Sequence, residues 1–238
     1  MSVISPVALE RTVSRVVRRI RRAIWRPLLL WRFRLFQRHR HDRLVVESVA
    51  GCSIVVLPQV FNPTLFQSSE FFIRSFNPGL IPRGSVVLDM GTGSGLGAIV
   101  AARWVDRVTA IDINPEAVRC ARINALLNHV DDRVEVIEGD LFAPIGDRRF
   151  DVVLFNPPFF RGAPRSALDR AWRSSDVVER FAAGLRTHLT PRGHALVILS
   201  TDGDTENFLN AFCANGFTVE IVAQRDVMVE VLTIYRIR

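Results

Sequence analysis

The stretch "SVVLDMGTGSGLGAIV", residues 85–100, joins a predicted strand to a predicted helix through a glycine-rich turn. Its first six residues form an apolar run typical of a buried strand, and its last residues begin a pattern typical of a helix. Between them, Gly91, Gly93 and Gly95 allow a sharp turn and a close approach of the backbone to a ligand. The loop ends at the predicted helix N-terminus, where free N–H groups favour an anionic or carboxylate ligand. We therefore expect a ligand site at this strand end.

Strand runs alternate with helical stretches on the C-terminal side of this loop. The predicted strands cover 85–90, 107–113, 134–140, 150–155 and 194–200, and the predicted helices lie near 95–103, 115–128, 174–189 and 204–215. This alternation predicts an α/β fold, a Rossmann-like, mostly parallel sheet with helices on both faces. Residues 217–224 and 230–237 have no helix between them and predict an antiparallel hairpin. Upstream, residues 43–58 predict a short hairpin and residues 71–76 a helix.

Positive charge is concentrated at the N-terminus. The chain carries 31 basic residues, all of them arginine, and its formal net charge is +7. Residues 1–43 hold twelve arginines against two acids, so the remainder of the chain is net acidic. Residues 8–26 show helical spacing, with an apolar face and arginines around the other side. We therefore predict a basic amphipathic extension over residues 1–43 and one α/β domain over residues 44–238.

Three roles are open for this extension. It could neutralise phosphates of RNA or of the ribosome, which would make substrate binding sensitive to salt. It could lie on an anionic membrane surface, because Trp25, Trp31, Phe33 and Phe36 alternate with arginines. It could also pack its apolar face on the domain and leave its arginines solvated. Arginines interrupt the apolar run that contains these aromatic residues, so we expect neither a transmembrane span nor a signal peptide. We expect a cytoplasmic protein, which in the first two roles would bind peripherally to a ribosome or to a membrane.

The cysteines and histidines argue against two classes of site. Cys52, Cys120 and Cys213 are odd in number and widely spaced, which is unlike a disulfide framework or a zinc site. The five histidines show no convincing ligand spacing. We therefore expect no metal.

Acids at three consecutive strand ends decide between two cofactors. The loop alone also fits the dinucleotide fingerprint G-x-G-x-x-G/A, so an NAD enzyme stays open at that point. Asp89, just before the glycines, would repel a pyrophosphate but can indirectly hold an ammonium group. Asp112 can accept hydrogen bonds from both ribose hydroxyls, and Asp140 can accept from an adenine amino group, with Leu141 beside the ring. Three acids in this order favour S-adenosylmethionine over NAD.

The stretch "DVVLFNPPFF", residues 151–160, places an unusual corner after the fourth strand. The side-chain carbonyl of Asn156 and the backbone carbonyl of Pro157 could accept both N–H bonds of a planar amino group, whose nitrogen is otherwise a poor nucleophile. Proline stiffens the turn and offers no competing N–H. Phe159 provides a flat face for stacking. We predict that Asn156, Pro157, Pro158 and Phe159 form the catalytic corner, where orientation supplies most of the rate.

In this order, the motifs resemble the class I S-adenosylmethionine-dependent methyltransferases. The resemblance runs from residue 85 to about residue 160 and includes acid-x-G-x-G-x-G, the ribose acid, the adenine acid and N-P-P-F. It implies a seven-stranded sheet that ends in a reversed hairpin. It also implies S-adenosylmethionine as the cofactor. The residues implied to hold it are Asp89, Gly91, Thr92, Gly93, Gly95, Asp112, Ile113, Asp140, Leu141 and Asn156.

Outside this core, the chain is similar to the HemK-like glutamine N5-methyltransferases that modify release factors. Ser68 and Ser69 stand where those enzymes have an acid and a threonine, and Phe159 replaces their usual tyrosine. Phenylalanine there resembles rRNA and tRNA base methyltransferases. The first expected acceptor is therefore a protein glutamine, the second an RNA base at adenine N6 or guanine N2, and the third a small molecule at a membrane surface. A non-catalytic cofactor-binding subunit is the last alternative, and the oligomeric state is not predicted.

Overall fold

The computed structural model describes residues 43–166, 168–227 and 230–238. Its first elements are a hairpin of β1 (Val45–Val49) and β2 (Cys52–Val56), followed by helix α1 (Gln67–Arg74). The two turn residues, Ala50 and Gly51, both have positive φ, as a two-residue hairpin connection requires. The predicted basic helix within residues 8–26 lies outside the described residues.

The remaining elements alternate between strand and helix for most of the chain. The strands are β3 (Val86–Met90), β4 (Arg107–Asp112), β5 (Val134–Glu138), β6 (Phe150–Phe155), β7 (Phe160–Arg161), β8 (Arg173–Ser174), β9 (Leu189–Ser200), β10 (Val219–Val227) and β11 (Glu230–Ile237). The helices are α2 (Leu96–Ala101), α3 (Pro115–Leu127), α4 (Val177–Leu185) and α5 (Thr205–Ala214).

Seven strands form one sheet in the order β10-β11-β9-β6-β3-β4-β5. Strands β3, β4, β5, β6 and β9 run parallel, whereas β11 lies antiparallel between β9 and β10. The predicted seven-stranded, mostly parallel sheet and its C-terminal hairpin are confirmed. Strands β7 and β8 form a separate two-stranded parallel sheet that was not predicted. Two-residue strands are too short to show a periodicity.

Hydrophobic layers cover both faces of the sheet. Val87 of β3 faces the layer that contains the hairpin and helices α1 to α3. Its neighbour Leu88 faces the layer that contains α4 and α5. Because both faces are covered, the central strands appear in the sequence as continuous apolar runs.

Since β3, β4, β5 and β6 run parallel, their carboxyl ends meet at one edge of the sheet, where the loops that follow them gather.

Two elements begin earlier than the sequence predicted. Strand β9 begins at Leu189 rather than at residue 194, and a register shift against β6 accommodates the segment that contains Pro191 and Gly193. Helix α1 begins at Gln67 rather than at residue 71, so that it includes two buried serines. This second difference affects the site described below.

A buried asparagine joins the N-terminal hairpin to the glycine loop. The amide nitrogen of Asn124 in α3 donates to the carbonyl oxygens of Val55, at 2.7 Å, and Ser94, at 2.8 Å. Its side-chain oxygen accepts from the backbone nitrogen of Val55 at 2.7 Å. Since the side chain is fully buried, these bonds satisfy groups that would otherwise be costly to bury. The hairpin is therefore part of the support for the loop.

Candidate active site

A buried carboxylate organises the glycine loop between β3 and α2. Asp89, at the end of β3, accepts through Oδ2 from Thr92 Oγ1 at 2.6 Å and from the backbone nitrogen of Ala98 at 3.0 Å. Burial raises the pKa of Asp89 to about 6, although both hydrogen bonds oppose the rise. An acid in this position holds the loop in shape and presents negative charge to any ligand above it.

Two glycines, one at the end of this loop and one in the first turn of α2, are required for close packing. At Gly97, which was not among the predicted site residues, a Cβ would lie 2.9 Å from both carboxylate oxygens of Asp89. At Gly95, φ is +84°, and a Cβ would lie 3.0 Å from the backbone of Ala121 in α3. The space above Gly93, in contrast, is open, because no heavy atom lies within 4 Å of the position of a Cβ. The loop thus packs tightly on its inner side and leaves room for a ligand on its outer side.

The acid after the second sheet strand is bonded to the same loop. Asp112, the last residue of β4, accepts through Oδ2 from the backbone nitrogen of Gly93 at 2.8 Å. Its Oδ1 accepts from the backbone nitrogen of Asn114 at 2.9 Å. Burial raises the pKa of the Asp112 carboxyl, and backbone hydrogen bonds oppose that rise. The structure thus brings the predicted ribose acid and glycine loop together, and leaves the adjacent Ile113 exposed.

The third acid has a side-chain partner that the sequence patterns did not predict. Asp140 follows β5, and its Oδ2 accepts from Nη2 of Arg180 in α4 at 2.7 Å. Both side chains are partly exposed, so the pair lies at the rim of the site. Leu141 beside it has a φ of +51°, which turns the chain sharply after the strand. An adenine amino group would therefore meet a carboxylate that is already oriented by a guanidinium.

The asparagine corner is held by helix α1. Asn156 follows β6, and its amide nitrogen donates to Oγ of Ser69 at 3.3 Å. Ser69 is buried in the first turn of α1, 87 residues earlier in the chain. Since an amide carbonyl oxygen has two lone pairs, the side chain of Asn156 keeps its capacity to accept from a substrate while it is bonded to Ser69. Pro157 beside it is buried and stiffens the turn.

The backbone after the two prolines is fixed from two sides. The carbonyl oxygen of Phe159 accepts from the backbone nitrogen of Asp204 at 3.0 Å, and the backbone nitrogen of Phe160 donates to the oxygen of Trp172 at 2.9 Å. The next residue, Arg161, forms ion pairs with Glu179 and Asp204. The segment that follows the two prolines is therefore bound to α4 and to the start of α5.

Three aromatic rings join this loop to the segment before α1. Phe61 and Phe66 stack with their ring centroids 4.9 Å apart, and Trp172 contacts both rings at 5.6 and 5.9 Å. All three side chains are partly buried. Since Phe66 precedes α1 and Trp172 bonds to the residue after Phe159, the cluster forms a wall beside the asparagine corner.

The predicted site residues therefore share one edge of the sheet, and the structure adds others. Asp89, Asp112, Asp140 and Asn156 each follow or end a neighbouring parallel strand. The added residues are Ser69, Gly97, Asn124, Arg180 and the aromatic cluster. Of these, Gly97 is visible in the sequence as a fourth glycine of the loop, whereas the others depend on contacts between distant segments.

The described residues hold neither a cluster suited to a metal ion nor a helix suited to a membrane span. Among residues 43–166, 168–227 and 230–238, no group of three or more histidine, cysteine or acidic side chains is placed to hold a metal ion. None of the helices in these ranges is long and apolar enough to cross a membrane.

A sheet with this strand order and polar side chains at the carboxyl ends of its central strands is that of the class I S-adenosylmethionine-dependent methyltransferases. The chain belongs to the methyltransferase small domain family, whose family model matches residues 51–228. This family membership confirms the predicted class of enzyme and the predicted cofactor, S-adenosylmethionine.

Curated relatives share part of this chain. It is 39% identical over 121 residues to the ribosomal protein uL3 glutamine methyltransferase of Bradyrhizobium diazoefficiens, covering 45% of this chain and 38% of that one. It is 30% identical over 196 residues to the release factor glutamine methyltransferase of Geobacter sulfurreducens, covering 76% and 67%. It is 34% identical over 135 residues to the tRNA1(Val) (adenine(37)-N6)-methyltransferase of Porphyromonas gingivalis, covering 51% and 53%. The chain thus spans between about two fifths and two thirds of these relatives.

Among solved structures, the chain is similar to the Thermus thermophilus 16S rRNA N2 G1207 methyltransferase RsmC, solved in complex with AdoMet and guanosine. The TM-score is 0.63 at 19% identity, and the match covers 82% of this chain and 49% of that one. At this identity, the similarity supports the fold.

Proposed function

We propose that this protein transfers a methyl group from S-adenosylmethionine to the side-chain amide nitrogen of a glutamine in a protein of the translation machinery, such as a release factor. The observation that carries a planar amino group as the acceptor is the position of Asn156, which follows β6 at the same sheet edge as the three acids and is held by a hydrogen bond to the buried Ser69. At this corner, the side-chain carbonyl of Asn156 and the backbone carbonyl of Pro157 would serve as the two acceptors.

Two acceptors suit the chemistry of an amide. The lone pair of an amide nitrogen is delocalised into its carbonyl, so the nitrogen is a weak nucleophile until its N–H bonds are oriented. Asn156 and Pro157 would each accept one N–H, and Phe159 would lie against the plane of the amide. Bound S-adenosylmethionine supplies an activated methyl group. The residues described here therefore act mainly by placing the acceptor nitrogen.

The strand-end acids fit the cofactor. In this proposal, Asp112 accepts from the ribose hydroxyls, and Asp140 accepts from the adenine amino group beside Leu141. Asp89 acts through the loop, since its carboxylate bonds to Thr92 and Ala98, and it supplies negative charge toward the amino-acid part of the cofactor. The open space above Gly93 is consistent with a ligand that lies across the loop.

The choice of glutamine rests on the relatives that act on glutamine in a release factor and in a ribosomal protein. An RNA base is the second candidate. Phe159 in place of tyrosine and the similarity to a tRNA adenine N6-methyltransferase favour it. Both acceptors present a planar NH₂ group, so the corner alone serves either of them.

The test is transfer of labelled methyl from S-adenosylmethionine into a lysate of cells that lack this protein. Label released by protease and resistant to nuclease supports the glutamine proposal, and mass spectrometry then identifies the modified residue. Label released by nuclease replaces it with the RNA proposal. Label extracted into organic solvent would indicate a small acceptor.

The role of the corner is tested by Asn156→Ala, with Asn210→Ala on the exposed side of α5 as the matched control. Loss of one positioned acceptor should lower the methylation rate by about 10²–10³-fold. Binding of S-adenosylmethionine should persist in both variants. Unchanged turnover in Asn156→Ala would contradict the assigned role, and loss of cofactor binding would assign Asn156 to the cofactor site alone.

The division into a basic extension over residues 1–43 and a methyltransferase domain over residues 44–238 stays a prediction. We propose that the extension contacts phosphates of RNA or of the ribosome at the site of the substrate. A steep loss of substrate binding between low and moderate salt would support this role. Sedimentation with anionic vesicles would instead support a peripheral membrane location.

A further inference from the structure

An arginine-lined cleft lies on the domain away from the catalytic corner. Its volume is about 460 Å³. Arg149 before β6, Arg186 after α4, Arg192 in β9 and Arg238 after β11 line it, so each arginine comes from a different part of the chain. All four side chains are exposed.

The cleft is at the opposite edge of the sheet from the proposed methyl-transfer site. It lies where β6 begins, beside the first pair of residues that joins β6 to β9, Phe150 and Leu189. Asn156 follows the other end of β6. Six residues of strand separate the two places by roughly 20 Å. A ligand in the cleft therefore does not contact the proposed cofactor site.

Within the described part of the chain, no ion pair balances the positive charge of this cleft. Among the residues that the structure describes, none of the four arginines pairs with a carboxylate. Asp151 contacts the cleft wall, but its two oxygens accept from Thr190 Oγ1 and from the backbone nitrogen of Val86. Since the chain has no lysine, the use of arginine does not by itself indicate phosphate binding, whereas the clustering of arginines without ion-pair partners does.

Two of the arginines are held in place by the main chain. Nη1 of Arg149 donates to the oxygen of Leu189 at 3.3 Å. Nη2 of Arg186 donates to the oxygens of Asn215 and Gly216, and its guanidinium lies 4.3 Å from the ring centroid of Phe217. A guanidinium has five N–H donors, so each keeps donors for a ligand. A positioned, unpaired guanidinium is well suited to bind a phosphate.

We propose that this cleft binds the phosphodiester backbone of RNA. The four arginines come from four parts of the chain and surround a cleft that is larger than one phosphate group. This arrangement fits successive phosphates of an RNA strand better than a single small anion. The inference is independent of which nitrogen the protein methylates. It places RNA contact on the folded domain, in addition to any contact by the basic extension.

The test measures binding of a labelled single-stranded RNA to the full-length protein between 50 and 200 mM salt. The variant is Arg149→Gln/Arg192→Gln, and the control is Arg119→Gln/Arg225→Gln, which removes the same charge from exposed positions outside the cleft. Affinity falls as salt rises, and loss of two phosphate contacts should make the slope of log affinity against log salt shallower by about 1.4. Over this fourfold change in salt, the variant would lose about sevenfold less affinity than the wild type.

The control should keep the wild-type slope, and methylation should persist in both variants. Equal slopes in the cleft variant and the control would overturn the proposal. If the slopes are equal and inorganic phosphate stabilises the wild type but not the cleft variant, the cleft binds a free anion and the RNA proposal is wrong. If the double variant fails to fold, Arg192→Gln alone should lower the slope by about 0.7.

Discussion

Replacing Asp89 by asparagine should stabilise the protein without cofactor at neutral pH and weaken cofactor binding. Burial raises the pKa of this carboxyl from 3.8 to about 6. The Asp89 carboxyl therefore stays protonated in the folded protein over a pH range in which it has lost its proton in the unfolded chain. The contribution of Asp89 to the free energy of unfolding is thus greatest below pH 4 and is lost as the pH rises through 6. Two pH units correspond to about 3 kcal/mol.

The variant removes this pH-dependent term and keeps an oxygen that can accept from Thr92 and Ala98. We therefore expect Asp89→Asn to exceed the wild type in free energy of unfolding by up to about 3 kcal/mol at pH 8, and the difference to fade toward pH 4. The new amide must find its own acceptors, which reduces the gain by about 1 kcal/mol if they are missing. Affinity for S-adenosylmethionine should fall in the same variant.

The measurement is urea unfolding of both proteins without cofactor at several pH values between 4 and 8, analysed by linear extrapolation. Asp131→Asn, at an exposed aspartate after α3, controls for removal of a surface charge. If the wild type instead gains stability relative to Asp89→Asn as the pH rises, the folded state stabilises the carboxylate, and a raised pKa for Asp89 is wrong.

Three other changes test the site. Gly97→Ala should weaken S-adenosylmethionine binding about tenfold or more by overpacking the buried carboxylate beside it, whereas Gly84→Ala, outside the site, should lower stability because its φ is +74° and leave the affinity for S-adenosylmethionine unchanged. Ser69→Ala should lower the methylation rate several-fold with little change in cofactor affinity, and recovery in Ser69→Thr would separate loss of the hydroxyl from loss of packing. Arg180→Gln should alter the dissociation constant for S-adenosylmethionine by less than about fivefold, because its pair with Asp140 is partly exposed; a loss of 100-fold would place Arg180 in direct contact with the cofactor.

The sequence predicted the acids of the site because their positions depend on strand order. Asp89, Asp112 and Asp140 each lie at the carboxyl end of a strand of a βαβ series. The carboxyl ends of parallel strands meet at one edge whatever the length of the helices between them. The asparagine corner follows the next strand of the same series. Local patterns were therefore enough to predict this edge of the sheet.

The contacts that orient these residues could not be predicted in the same way. Ser69 and Asn156 are 87 residues apart, and their hydrogen bond depends on how α1 packs, since the helix begins four residues earlier than predicted. Arg180 reaches Asp140 only because α4 lies beside the loop after β5. The importance of Gly97 depends on the direction of a carboxylate that no pattern reveals.

The position of β11 has a consequence for the order in which this protein can fold during synthesis. Strand β10 precedes β11 in the chain, yet in the sheet it reaches β9 only through β11. While a ribosome still covers residues 230–237, β10 has no neighbour to pair with, and the edge of β9 is exposed. The sheet is therefore completed only after this last strand emerges, so that the nascent protein passes through a stage with an open hydrophobic edge.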